Sequence, residues 1–411
     1  MFALTPLRRF SAHYRDSFRG LPATTWFLCL AAFVNRSGSM VLPFLSPYLG
    51  ERFGYSVAEA GRLLGLYGIG SICGSLLGGK LADVLGPVRV QVVTLLATCV
   101  WMLVMTGIER PWPLAGGVFV LGLLNDAFRP GNYTAVANSC EPALRRKALA
   151  LNRLSVNAGW AIGPTVGGYL AGMDYRWLFV ADGMTCGLAA LLLWVLLRGF
   201  RPEVPQRPEH DRSWRHDGLF LWVMVSCFCY LLAFEQFFTT EVRVLREAFA
   251  YDTKTIGWLL AINPLLIFAF EMPLVHALRH RPALPVTALG ALVTGIGFLV
   301  LLPSLGGAGV ALSMCVLTFG EILQMPQVGA WTYDRAPAHA RGAYTGVYAA
   351  MFSAAFVVAP WLGGELYDTA GPAALWWTCG GLGALAALGF LLAHRREGAA
   401  PPPASAADPP R

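Results

Sequence analysis

Charge is scarce in this sequence. Of its 411 residues only 13% are Asp, Glu, Lys or Arg, where an ordinary soluble chain carries about 25%, so one large soluble domain is excluded. Short alternating strands, the mark of an outer-membrane barrel, are absent. There is no GxxxxGKS/T, hence no P-loop for ATP. The seven histidines, His13, His210, His216, His276, His280, His339 and His394, stand in loops or at the ends of apolar runs. With no HExxH and no acid–base cluster they argue against an enzyme. Nor do the nine cysteines (Cys29, Cys73, Cys99, Cys140, Cys186, Cys227, Cys229, Cys315 and Cys379) form a CxxC; most lie inside apolar runs as core filler. No cofactor or metal is implied.

What is present is hydrophobicity: 56% of residues are apolar and the mean hydropathy is +0.54. Apolar runs of spanning length lie near 24–49, 57–79, 89–108, 114–138, 149–172, 176–197, 219–240, 255–278, 284–303, 308–332, 342–365 and 372–393. Each can cross a ~30 Å hydrocarbon core as a helix. The expected fold is an all-α membrane protein of twelve transmembrane helices.

Residues 1–23 place Arg8, Arg9, Arg15 and Arg19 among Phe2, Leu7, Phe10 and Phe18, a basic amphipathic stretch suited to a membrane surface and unlike a signal peptide. The segment 198–218, rich in proline and charge, is expected to be a cytoplasmic linker between six-helix bundles at 24–197 and 219–394. The Pro/Ala tail, 395–411, is expected to be disordered.

A formal charge of +7 could suggest nucleic acid, but the basic residues are dealt out among short loops and form no single patch. They fall in alternate loops: Lys80 and Arg89, then Arg145, Arg146 and Lys147, then Arg198, Arg201, Arg207, Arg212 and Arg215, then Arg279 and Arg281, then Arg335 and Arg341. The opposite loops hold Arg52, Arg110 and Arg176 nearly alone, or offset Arg243, Arg246 and Lys254 with Glu241, Glu247 and Asp252. The positive-inside rule then puts both termini in the cytoplasm.

One offset, 196, relates landmarks far apart in the chain: Gly61 to Gly257, Pro130 to Pro326, Arg145 to Arg341, Pro164 to Pro360, and Gly167-Gly168 to Gly363-Gly364. Such duplication implies two pseudo-symmetric bundles with a substrate cavity between them near the midplane.

The loop after the second run, Gly79-Lys-Leu-Ala-Asp83-Val-Leu-Gly86-Pro-Val-Arg89, resembles the GxLaDrxGrr motif of the major facilitator superfamily. In that family the acidic residue helps hold the cytoplasmic side of the halves together. Here the basic positions of the motif are Val84, Pro87 and Val88, leaving Arg89. Asp83 could instead cap a helix, and Glu141 could pair with Arg89 or with the cluster at Arg145. The fifth run, Asn157-Ala-Gly159-Trp-Ala-Ile-Gly163-Pro164-Thr-Val-Gly167-Gly168, looks like the GxxxGPxxGG motif of drug:proton antiporters. Its glycines leave a flat face for close packing and its proline frees a carbonyl. The resemblance to bacterial multidrug exporters of this superfamily covers the whole chain in topology. It implies residence in the bacterial inner membrane and a monomer. The Gly320-Glu321 element is shared with peptide:proton symporters, whose ExxER signature is missing from the first run.

A central charge in a bilayer costs about 2.5–3.5 kcal/mol, so each must be paired, hydrated or functional. Arg36 lies about 12 residues, roughly 18 Å of helix, into the first run. Asp126 and Arg129 are three apart on one helix face. They form either a neutralised structural pair or a proton carrier and its release switch. Glu321 is either paired with Arg36 or protonated at rest. Asp126 or Glu321, with Arg36 and Arg129, is thus the candidate proton-coupling site. Glu271 and Asp182, near run ends, are more simply explained by interfacial solvation. Asn35, Glu235, Gln236, Tyr67, Tyr230, Phe234, Asn263, Gln324 and Tyr348 are candidates to line a cavity for flat amphipathic compounds.

The function expected is secondary active transport, with proton entry driving export of a small organic solute by alternating access. Import of a peptide, sugar or organic anion with protons is the alternative, Arg36 and Arg129 then clamping the anion. A non-transporting receptor of the same shape is a third reading.

Overall fold

The computed structural model describes residues 19–108, 110–200, 213–302, 306–337 and 340–399. The N-terminal stretch as far as residue 18, most of the linker and the tail beyond 399 lie outside the described residues, as do His13, His210 and His339. Among the described residues helix is the only regular structure. In chain order the α-helices are α1 (Ala23–Ser37), α2 (Val41–Phe53), α3 (Val57–Leu85), α4 (Pro87–Met105), α5 (Pro111–Ala137), α6 (Arg145–Ala171) and α7 (Arg176–Leu196). They continue as α8 (Gly218–Phe234), α9 (Thr240–Glu247), α10 (Thr253–Leu278), α11 (Ala283–Leu299), α12 (Gly306–Arg335) and α13 (Arg341–Ala399).

Eight segments among the described residues are long and apolar enough to cross a membrane. The other expected spans fall in α5 and α6, which are long but too polar, in α11, which is apolar but short, and in α13, which holds two. In α13 the two parts meet at Gly371, whose φ of 80° breaks the helical path just before Pro372.

The first run is not one helix. It stops at Ser37 and restarts at Val41. Pro43 has no N–H to give the Ser39 carbonyl, so the ladder cannot continue through this point. Gly38 lies so close to Thr185 of α7 that any Cβ would collide with its hydroxyl. The seventh run is interrupted in the same way, by a 3₁₀ turn at Glu235–Phe237 between α8 and α9. Ser39 and Glu235 are 196 apart, so both breaks fall at corresponding positions of the repeat.

Packing groups the chain into two units. The first is Met1–Arg207 with Glu235–Ala269 and Phe356–Pro372; the second is Pro208–Phe234, Phe270–Ala355 and Ala373–Arg411. These are divisions by contact, whereas the bundles expected above are divisions by chain order.

In the first unit Leu28, Leu95, Phe128, Val136 and Leu193 form a buried core shared by α1, α4, α5 and α7. A second seam depends on small residues. Gly70, Gly74 and Gly78 of α3 rest on the carbonyls of Phe119, Leu123 and Ala127 of α5, where no Cβ would fit. The duplication recurs in three dimensions. Gly61 abuts the Pro360 carbonyl and Gly257 abuts that of Pro164; Gly364 meets Val57 and Gly168 meets Thr253. Each contact is the 196-residue counterpart of another with the partners exchanged, and all join the ends of helices expected outside.

In the second unit α11 and α12 pack through Gly290, Gly297 and Gly320. Asp217 caps α8 by accepting from the Phe220 N–H at 3.0 Å. It also accepts from Arg335 Nη2 at 2.6 Å and Nε at 2.8 Å and from the Tyr344 hydroxyl at 3.2 Å. Burial acts to raise this carboxyl, but those hydrogen bonds outweigh it and hold it below its ordinary range. The stabilisation is therefore complete above the usual carboxylate value of about 3.9 and lost as pH falls through the lower folded value. Asp217→Asn is expected to lower the thermal midpoint in detergent by the equivalent of about 1–3 kcal/mol at neutral pH, a loss that shrinks in strong acid.

Candidate functional site: a charged cluster at two interrupted helices

The close seam between α3 and α5 brings together side chains far apart in sequence. Ser71, next to Gly70, donates to Oδ2 of Asp126, whose Oδ1 accepts from Arg129 Nη1 at 3.2 Å. Asn125 donates to the Tyr67 hydroxyl at 2.8 Å, and Tyr67 itself is buried. Arg36, at the end of α1, lies within electrostatic range of Asp126, Arg129, Tyr67 and Asp182. The i,i+3 pair seen in the sequence is thus one edge of a larger cluster. Ser71 and Asn125 were not singled out from the sequence; the Gly70, Gly74, Gly78 stripe is the signal that could have found Ser71.

Asp182 corrects an expectation. Near the start of α7 it was assigned to the interface, yet it is only 6% exposed and accepts from the Val41 N–H at 3.5 Å and the Cys186 thiol at 3.8 Å. The restart of the helix at Val41 leaves backbone donors with no intrahelical partner, and Asp182 satisfies one. Glu271 is likewise buried, at 8% exposure. Asn35 is buried too and donates to Cys186 Sγ at 3.4 Å.

The motif of the fifth run lies against this break. Added Cβ atoms at Gly159, Gly163 and Gly167 of α6 would meet Arg36, Ser39 and Met40, so the glycine face carries the interrupted backbone. Gly168 faces Thr253 of α10 instead. Pro164 offers its carbonyl toward Gly257.

Glu235, in the interruption of the seventh run, is buried and within electrostatic range of Arg129. Gln236 donates to the Ala359 carbonyl at 2.7 Å and packs on Gly363, a helix-joining contact. Asn263 is buried in α10.

The remaining candidates gather in the second unit. Tyr230 stacks on Phe234 with ring centroids 5.8 Å apart and lies within electrostatic range of Glu321 and Tyr348. Gln324 is fully buried beside Cys227 at 4.0 Å, and Tyr348 donates to the Met325 carbonyl at 3.5 Å.

At the other motif Gly79 is buried, and Gly86 ends α3 with φ 90°, a turn that a residue with a Cβ would resist. Gly86 is also the N-cap of α4, so Asp83, in the last turn of α3, does not cap that helix. Asp83, Arg89, Glu141 and Arg145 are all exposed. Among the described residues Glu141 makes no ion pair with Arg89, Arg145 or Lys147.

The sequence matches the family model "Major Facilitator Superfamily" over residues 28–354 and again over 246–411. It is 23% identical over 360 residues to the uncharacterized MFS-type transporter YqjV of Bacillus subtilis, covering 84% of this chain and 87% of that one. To the multidrug resistance protein MdtH of Salmonella typhi it is 24% identical over 380 residues, covering 87% and 91%. Among solved structures it is similar to a POT family transporter in complex with 5-aminolevulinic acid, with TM-score 0.79, 15% identity and coverage of 92% and 97%. A peptide transporter POT in complex with sulfate gives TM-score 0.77 at 17% identity, covering 93% and 96%. At those identities the structural likeness speaks for the fold alone. The family match spans nearly the whole chain, and with the interrupted helices and the recurring contacts it leads to one conclusion: this multi-pass membrane protein belongs to the Major Facilitator Superfamily, a family of transporters and not of enzymes.

Proposed function

We propose that the protein couples inward proton movement to export of small amphipathic organic compounds across a bacterial inner membrane, as a monomer with both termini in the cytoplasm. The observation that carries this reading is the buried Asp126 in contact with Ser71 and Arg129 and within reach of Arg36, beside a helix interrupted at Gly38. Interrupted helices at matching positions of two repeats are where transporters of this kind build their sites. A proton on Asp126 cancels its attraction for Arg129; the freed guanidinium then needs water or another anion, and Glu235 is within its range. Exchange of partners of this type can bias two arrangements of the helices without new covalent chemistry. The energy suffices, since one charge crossing 100 mV supplies about 2.3 kcal/mol.

Export is favoured by the likeness to relatives named for multidrug resistance. A second reading, import of an anionic solute with protons, is favoured by two guanidinium groups, Arg36 and Arg129, in one cluster. Proteoliposomes under an imposed pH gradient separate them: an antiporter moves labelled dye against the proton flow, a symporter moves labelled dipeptide or organic acid with it. Absence of any gradient-dependent flux over a broad solute panel would sink both.

A further inference from the structure

Helix α9 is the most polar of the short helices and yet almost wholly buried. Thr240, Glu241, Val242, Arg243, Val244 and Leu245 are each 5% exposed or less. Its two deepest charges are treated in opposite ways. Arg243 is fully compensated: it donates to the Ser46 carbonyl at 2.6 Å, to the Tyr55 carbonyl at 3.0 Å and to Glu247 at 2.6 Å. Its guanidinium occupies space that only glycine at position 50 leaves open. Glu241 has no such company; it is 0% exposed and neither carboxyl oxygen has a hydrogen-bond partner.

The charged groups on the surrounding elements are engaged elsewhere. From α2, Glu51 takes Arg246 at 2.7 Å and the Tyr175 hydroxyl at 3.1 Å, and Arg52 has a partner of its own. From α3, Arg62 is bound to Glu365 of α13 at 2.5 Å, and Glu59 closes the capping box with Ser56. Asp368 of α13 accepts from the Ala58 N–H at 2.9 Å. In the turn before α9, Glu235 lies toward Arg129. On α9 itself Arg243 and Glu247 are paired with each other. Among the described residues no charge reaches Glu241 electrostatically. An unpaired carboxylate in such a place would cost several kcal/mol, so it is held there as the neutral acid.

We propose that Glu241 is a second protonation site, built into the closure where α9 seats on α2 and α3: it carries a proton while that seat is made and releases it when α9 withdraws into water. This rests on the alternating-access reading above, in which the ends joined by Gly61, Pro360, Gly257 and Pro164 must separate. Closing then takes up one proton, with no other reactant, and acid favours the closed arrangement. By linkage a single proton changes the closed-to-open ratio by at most tenfold per pH unit.

Amide hydrogen exchange on the full-length protein in detergent, followed from pH 5.5 to 8.5 and corrected for intrinsic exchange chemistry, tests this. In the wild type, opening of peptides covering 41–53 and 240–247 should rise with pH, up to about tenfold per unit. Glu241→Gln should leave both segments protected and the slope flat, and Glu241→Met should do the same should the amide variant not purify. Glu59→Gln, on the exposed capping box, should keep the wild-type slope. Persistence of that slope in either Glu241 variant overturns the proposal, as does a wild type whose protection is the same at every pH. The measurement needs no solute, so absence of flux would count against transport while this slope still decides on Glu241.

Discussion

Asp126→Asn is expected to abolish solute movement driven by a pH gradient while leaving exchange of labelled for unlabelled solute at equal concentrations intact. Asparagine matches aspartate in shape and can still accept from Ser71, so the seam between α3 and α5 survives. What it lacks is the ability to bind and release a proton and to attract Arg129. Driven flux should fall at least tenfold, the equivalent of about 1.4 kcal/mol. Exchange needs only the binding and reorientation of the loaded protein and should stay within about twofold of the wild type. Glu321→Gln is the companion variant. Its carboxyl belongs to the set around Tyr230 in the second unit, and the same split in its phenotype would move the coupling site there. If both variants pump normally under an imposed gradient, neither carboxyl couples the proton.

The second large effect is expected at Gly61. A side chain there would run into the Pro360 carbonyl, and backbone cannot yield as a flexible side chain does. Overpacking of this kind costs about 1–3 kcal/mol, so Gly61→Val should depopulate the closed arrangement by roughly 5- to 150-fold. Transport should stop, with binding from the side expected outside preserved in an equilibrium dye-binding assay. Because the contact recurs at the 196-residue offset, Gly257→Val, which meets the Pro164 carbonyl, should behave in the same way. Gly346→Ala, which meets nothing within 4 Å, should transport normally. Full activity in Gly61→Val would show that these ends never need to close.

Much of the candidate site was legible because some of its relations are local. Asp126 and Arg129 meet on one helix at a spacing that any α-helix enforces. The turn at Gly86 and the glycine face of α6 likewise follow from a few consecutive residues. The interruption of the first run was only half visible: Pro43 signals it, but an apolar run of ordinary length concealed it. The partners of Asp126 were not legible, because Ser71 is 55 residues away and arrives only when three glycines let α3 lie on α5. Asp182 and Glu241 were misjudged for a related reason. Distance from the end of an apolar run suggests depth in the bilayer, but says nothing about what another helix lays over the residue.

By itself the sequence determined the solvent, the family and the repeat: hydropathy is a sum over neighbouring residues, and an offset of 196 can be counted without coordinates. Which charges meet was decided only by tertiary structure. Arg243 finds the Ser46 carbonyl across 197 residues, and Glu241, two positions before it, finds nothing. No local rule separates the two, because whether a buried charge is compensated depends on the backbone and side chains that distant helices bring to it.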